Sequence, residues 1–298
     1  DEEWQRIKGG PDTITQEFVD TIAARFIWPQ YDPAAAHDTD NTAALAAADK
    51  RFARWLRTNV HAHKTPGYAA VTVSLKATGV PPGDITADQM DAVAALADEY
   101  GFGELRVSHE QNLILADVRR ARLHELWGKL EALNLATPNV GLLTNIIACP
   151  GGDFCALANA VSIPVAEAIQ RQFDNLDYLF EIGELDLNIS GCINSCGHHH
   201  VGHIGILGVD KAGEEWYQVT IGGRQNGAAI GRIIGPSFAR EQVAGVVDRL
   251  IRTYLGLRDS EEERFIDVVD RVGIDPFKQD VYADPAFAKP QAQEAAHV

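Results

Sequence analysis

Residues 188–205 read Asn188-Ile189-Ser190-Gly191-Cys192-Ile193-Asn194-Ser195-Cys196-Gly197-His198-His199-His200-Val201-Gly202-His203-Ile204-Gly205. A short apolar run, predicted as a strand over Leu185–Ile189, ends in two cysteines with three residues between them and glycines on either side. The only other cysteines lie upstream, in Ala148-Cys149-Pro150-Gly151-Gly152-Asp153-Phe154-Cys155-Ala156-Leu157-Ala158, with five residues between them. All four therefore fall in two short, glycine-flanked pairs. An iron–sulfur cluster needs four converging thiolates and gains from backbone N–H groups aimed at its sulfurs. Glycine lets the backbone come that close. A structural zinc site is the alternative, and buried structural cysteines are a third reading. The second pair fits the two-to-four-residue spacing of zinc ligands, but the first does not.

Composition narrows the function classes. The formal net charge of −16 repels a phosphate backbone, so nucleic acid is not an expected partner. No apolar run approaches eighteen residues, and no secretory signal is visible. Four cysteines in 298 residues are too few for a disulfide scaffold, so a reducing cytoplasm is expected, with no membrane partner. The sequence begins Asp1-Glu2-Glu3-Trp4 and holds one methionine, Met90. Either processing of the N-terminus or a longer parent chain is expected from that.

Periodicity predicts an α+β protein. Thr13 to Gln16 cap a helix through Phe18, Ile22, Phe26 and Ile27, and a second helix spans Asn41–Val60. A strand at Tyr68–Leu75 and a helix at Thr86–Tyr100 follow. Short strands come next at Glu104–Ser108 and Asn112–Ala116, and then a helix at Arg119–Leu133. This β-α-β-β-α order implies helices layered on a sheet. Beyond it, a helix starting near Cys155 runs to Phe173, and strands cover His203–Val209 and Trp216–Ile221. Helices begin at Ser237 and Ser260. The expected divisions are a helical linker over 1–64, a mixed unit over 65–135, a cysteine-bearing unit over 136–282 and a flexible tail over 283–298.

Four stretches resemble one known family in the right order. The two cysteine motifs resemble those of the sirohaem-dependent nitrite/sulfite reductases. Gly103-Glu104-Leu105-Arg106-Val107-Ser108-His109-Glu110-Gln111-Asn112-Leu113-Ile114-Leu115 is similar to the family's strand bordering sirohaem, and Gly222-Gly223-Arg224 follows a strand as that pattern expects. The resemblance runs from about His61 to Tyr282. Ile193 stands where many members have proline, at a turn position that donates no ligand.

The resemblance implies a ferredoxin-like half-domain followed by the family's iron–sulfur/sirohaem domain. It implies a [4Fe–4S] cluster on Cys149, Cys155, Cys192 and Cys196, with Cys196 also binding the sirohaem iron. Arg106, Gln111, Asn112, Asn194 and Arg224 become candidate sirohaem contacts, the arginines because a guanidinium grips a carboxylate through two parallel bonds. His198, His199, His200 and His203 read as packing around Cys196 rather than catalytic acids. Glu184, Asp186 and Glu261–Glu263 read as solvated faces. The implied reaction is six-electron reduction of sulfite or nitrite, leaning towards assimilatory sulfite reduction, with ferredoxin or an NADPH-linked flavoprotein as donor. The family's active site is built from two halves, so an N-terminal half is an expected partner, and this chain alone is expected not to turn over. A haem-free electron-transfer module and a structural zinc protein with four cysteine ligands are the alternatives.

Overall fold

A computed structural model describes residues 1–287 except Asp12, Ile27, Gly227 and Ala228. The helices are α1 (Glu2–Ile7), α2 (Gln16–Ala23), α3 (Thr42–Ala48), α4 (Lys50–Asn59), α5 (Ala87–Tyr100), α6 (Leu123–Ala132), α7 (Ile163–Gln172), α8 (Leu176–Ile182), α9 (Arg240–Leu257), α10 (Phe265–Val272) and α11 (Asp275–Ala283). The strands are β1 (Val60–Ala62), β2 (Tyr68–Val73), β3 (Arg106–Val107), β4 (Leu113–Arg119), β5 (Ile147–Ala148), β6 (Leu187–Ser190), β7 (Ile204–Lys211), β8 (Glu214–Ile221) and β9 (Arg232–Ile233). They form an antiparallel sheet in the order β1-β2-β4-β3 and a mixed sheet in the order β5-β6-β7-β8-β9.

Each sheet has its own core. In β2, alternation sends Ala69, Val71 and Val73 inward against Val93, Leu96, Leu126, Leu130, Phe52 and Trp55. Phe52 and Trp55 lie on α4, inside the stretch expected to be a linker, and β1 is an edge strand of the first sheet. The first unit therefore starts well before residue 65. The expected helix over Asn41–Val60 is two helices, because the Asp49 carboxylate leaves the helical path to accept from the N–H groups of Arg51 (2.8 Å) and Phe52 (3.3 Å). The expected cap of α2 is present at Thr15, whose hydroxyl accepts from Phe18 N, while Ile27 lies outside the described residues.

In the second sheet β5, β6 and β7 run parallel and β8 and β9 antiparallel. Its core joins Ile189, Ile206 and Val219 to Val165, Ile169, Val246, Leu250, Phe265 and Phe277. The β7–β8 turn falls where expected, with Ala212 and Gly213 both in the left-handed region, as a two-residue hairpin requires. Several helices start later than the sequence implies. α6 begins at Leu123 because β4 continues to Arg119. α9 begins at Arg240 because Phe238 still exchanges two backbone bonds with Tyr217, each 2.8 Å. α10 begins at Phe265 rather than Ser260. α11, with Pro276 in its first turn, extends order to the start of the expected tail; residues 288–298 lie outside the described residues.

Two glycines contrast a tightly packed position with an open one. A Cβ on Gly197 would fall well inside contact distance of the Ile189 carbonyl, whereas one on Gly128, in α6, would meet nothing within 4 Å. Gly197→Ala is expected to destabilise by about 1–3 kcal/mol through overpacking, and Gly128→Ala to stabilise by roughly 0.5–1 kcal/mol through helix propensity. Urea unfolding midpoints check both; equal shifts for the two variants contradict the packing described.

Candidate functional site

The two cysteine loops leave neighbouring parallel strands at the same end. Ala148 pairs with Ile189 in register, so Cys149 and Ser190–Gly191 emerge side by side. Cys149 N donates to Ile189 O (3.1 Å), and Gly191 N donates to Cys149 Sγ (3.1 Å). That N–H···S bond is the kind that holds a thiolate and lowers its charge density. The loops then interlock. Asn159 N and Ala160 N both donate to Gly191 O (2.9 and 3.1 Å), and Gly152 N donates to Ala160 O (2.8 Å). A Cβ on Gly191 would lie 2.8 Å from Gly151 Cα and 2.7 Å from Ala160 O, so only glycine allows this approach.

These bonds explain why the helix expected from Cys155 starts only at Ile163 with Pro164 in its first turn. The backbone N–H groups of Asn159 and Ala160 are spent on the opposite loop. Cys149 and Cys192 are buried, Cys155 is half-buried and Cys196 is exposed. Gly197 N donates to Ser190 Oγ (3.1 Å), which turns the Cys196 end back over the tip of β6. Among the described residues, no three His, Cys, Asp or Glu side chains converge as ligands of one metal ion. A tetrahedral zinc site brings its sulfurs within about 4 Å of one another. A four-iron cuboid spaces its thiolates more widely, and two touching loops with one sulfur already bonded to a backbone N–H fit that larger group.

The loops also expose large apolar side chains. Phe154 (83%), Leu157 (72%) and Ile193 (82%) stand out beside Cys155, Cys192 and Cys196. All three lie on the two touching loops.

The remaining expected site residues separate into two groups. Gln111 and Asn112 are already engaged within the chain. Gln111 Nε2 donates to Ala148 O (2.7 Å) and its Oε1 accepts from Ala148 N (3.0 Å). Asn112 is fully buried, donates to Asn145 Oδ1 (3.0 Å) and accepts from Leu75 N (3.0 Å). Their amides thus bind backbone and side chains of this chain. Arg106, Asn194 and Arg224 are more accessible. Arg106 is ion-paired with Glu104 on the exposed edge strand β3, Asn194 is exposed beside Cys196, and Arg224 is ion-paired with Asp270 of α10.

The turn between β3 and β4 reaches both other motifs. Gln111 holds Ala148, and His109 Nε2 lies 3.2 Å from Gln225 Oε1, next to Arg224. A cavity of about 540 Å³ opens there, lined by Arg57, His61, His109, Glu110, Glu184 and Asp186 among others.

Of the four histidines, His199 and His203 are buried. Burial holds the His199 imidazole down at about 4, with His200 adding to the effect. His203 Nδ1 accepts from Asp186 N (3.1 Å), which leaves any ring proton on Nε2. Burial raises the Asp186 carboxyl above its ordinary range, so Asp186 is no simple solvated carboxylate. Lys76 was not singled out by the sequence. It is buried, and its Nζ donates to Gln111 Oε1 (3.2 Å). Burial lowers its ammonium to about 7, against the opposing effect of Glu110. A lysine at the end of an alternating strand gives no sign of this, because the closing partners lie far along the chain.

The family model described as the nitrite/sulfite reductase ferredoxin-like half domain matches residues 61–133. The one described as the nitrite and sulphite reductase 4Fe-4S domain matches residues 141–288. The chain belongs to the nitrite/sulfite reductase family. It is 33% identical over 186 residues to a chloroplastic ferredoxin–nitrite reductase of Betula pendula, a match covering 59% of this chain and 30% of the relative. It is 29% identical over 217 residues to the sulfite reductase [ferredoxin] of Mycobacterium tuberculosis, covering 68% and 39%. Among solved structures, the Mycobacterium tuberculosis NirA protein matches with a TM-score of 0.60 and 28% identity, covering 74% of this chain and 41% of that one. Dissimilatory sulfite reductase I shares the fold at a TM-score of 0.61 and 13% identity, over 96% of this chain and 95% of that one. The match thus spans about a third of the length of the curated relatives. No helix of the described residues is long and apolar enough to cross a membrane.

Two outcomes are expected of the site. Iodoacetamide applied to the reduced, metal-free chain modifies Cys196 first and Cys149 and Cys192 last, read by peptide mass spectrometry; equal rates at Cys149 and Cys196 contradict the geometry. Lys76→Met gains stability relative to the parent most below about pH 7, where the parent must bury a charge. The unfolded lysine titrates near 10.5 and the folded one near 7, so the unfolded state binds more protons between these values. The parent's penalty therefore fades as pH rises through that window, and the gain shrinks. Urea unfolding at about pH 6 and about pH 9.5 checks this; a gain that grows with pH contradicts it.

Proposed function

We propose that this chain is the cluster-bearing, C-terminal half of a sirohaem-dependent reductase that reduces sulfite or nitrite by six electrons. The observation that carries this is the interlocked pair of cysteine loops, joined by the bond from Gly191 N to Cys149 Sγ. Cys149, Cys155, Cys192 and Cys196 hold a [4Fe–4S] cluster, and Cys196, the most exposed of them, also ligates the sirohaem iron. When bound, these groups supply the electron-transfer chemistry, and the protein binds and orients them. Arg106, Asn194 and Arg224 are the sirohaem contacts on this side, with each guanidinium exchanging its present carboxylate for one of the cofactor's.

The exposed Phe154, Leu157 and Ile193 support an incomplete face, closed by sirohaem and by the N-terminal half of the same enzyme. The net charge of −16 supports the same division, since an anionic substrate needs a basic partner surface that this chain does not supply overall. Relatives named for nitrite and for sulfite both match, so the substrate is one of these two oxyanions. Both carry ferredoxin in their names, which favours a ferredoxin donor over an NADPH-linked flavoprotein. The site chemistry fits a reducing cytoplasmic compartment.

The test is anaerobic reconstitution with iron and sulfide. The chain is expected to bind roughly four irons with broad cluster absorption. It gains sirohaem bands and oxyanion reduction only when produced together with a preceding half. A colourless chain that retains zinc contradicts the reading, and a chain that reduces sulfite by itself contradicts the half-enzyme assignment.

A further inference from the structure

We propose that Gln111 is a positioning residue for the first cysteine loop, standing in for a strand along the open edge of β5. The inference rests on the cluster reading above. β5 is an edge strand: β6 covers one side, and the backbone groups of Ala148 face the other. The Gln111 amide meets both of them, donating to Ala148 O (2.7 Å) and accepting from Ala148 N (3.0 Å). An unpaired edge group buried from water is costly, and one primary amide satisfies both with the geometry of a ladder pair.

Three features fix this amide. Gln111 has a left-handed backbone (φ 59°), which sets its side chain towards β5. Gly83 leaves it room, since a Cβ there would lie 3.1 Å from Gln111 Cβ. Lys76 Nζ donates to Oε1 (3.2 Å) from a buried position, so only one orientation of the amide satisfies every partner. The neighbours act alike: Glu110 Oε2 accepts from Asn145 Nδ2 (3.2 Å) and Asn112 donates to Asn145 (3.0 Å). Three consecutive side chains of the first unit thus hold Asn145 and Ala148, and the next residue is Cys149. The first unit thereby sets where the first cluster ligand stands, although it contributes no ligand of its own.

The test compares the parent chain with Gln111→Met, which keeps length but forms no bond, and Gln111→Glu, which accepts but cannot donate. Amide exchange of the peptide covering 145–150 is read in the metal-free chain, with far-UV circular dichroism as the check on fold. Iron release to a chelator and the electron paramagnetic resonance of the reduced cluster are read after reconstitution. Gln111→Met is expected to exchange and to release iron about tenfold faster, with altered resonance. Gln111→Glu is expected to fall between it and the parent, and to serve alone if Gln111→Met does not fold. Parent-like exchange in both variants overturns the clamp. Faster exchange with parent-like iron release and resonance leaves a structural bond only, and overturns the positioning role. A parent chain that takes up no iron sinks the cluster reading instead, while the exchange measurement still decides whether the clamp exists.

Discussion

The close approach of Gly151 and Gly191, with Gly191 N bonded to Cys149 Sγ, is the constraint on which the rest of the site depends. It exists because β5 and β6 run parallel and in register, so both cysteine loops leave the sheet at one end. The loops must then share a narrow space. Backbone polar groups that would otherwise be orphaned there are paired, from Asn159 and Ala160 across the gap to Gly191 and from Gly152 to Ala160 within the first loop. A side chain on Gly191 would press on Ala160 O and Gly151 Cα and part the loops, whereas one on Gly151 would meet Ser162 of its own segment. The helix after the first loop is delayed for the same reason, because its would-be first turn is committed elsewhere.

The second level of the account is the docking of one unit on the other. Two apolar cores, one on each sheet, are joined by polar contacts of the β3–β4 turn and by contacts of α4 with α8, where Arg54 pairs with Asp177 and lies over Phe180. Polar contacts of this kind fix position more sharply than apolar burial does, since each bond has a direction. On the far side of the cysteine loops the situation is reversed. Phe154, Leu157 and Ile193 face outward, uncovered by any of the described residues, and the proposed sirohaem and second half would cover them.

The sequence made some of this legible and hid the rest for physical reasons. Cysteine pairs and their glycines are local features, so the candidate ligands could be read directly. So could the start of α5 at Thr86, where residue type suffices, while the reciprocal bond from Gln89 came with the structure. The bracing bonds of Gln111 and Asn112 were hidden because their partners, Ala148, Asn145 and Leu75, lie more than thirty residues away. Their polarity was visible, but not the backbone it would satisfy. Asp49 broke a continuous apolar pattern because a cap competes with the helix it starts. Lys76 looked like an ordinary charged residue after a strand, and only the tertiary structure buries it. The helix carrying Phe52 and Trp55 was legible, but not the sheet it packs on, which is built from residues further along the chain.

Iron K-edge X-ray absorption on the anaerobically loaded chain tests the central claim most directly, because it reads the neighbours of the metal itself. The account predicts a sulfur shell with a short iron–iron distance beyond it, lost when Gly191 is replaced by a residue that parts the loops. A lone metal surrounded by sulfur, with no second metal nearby, would contradict it.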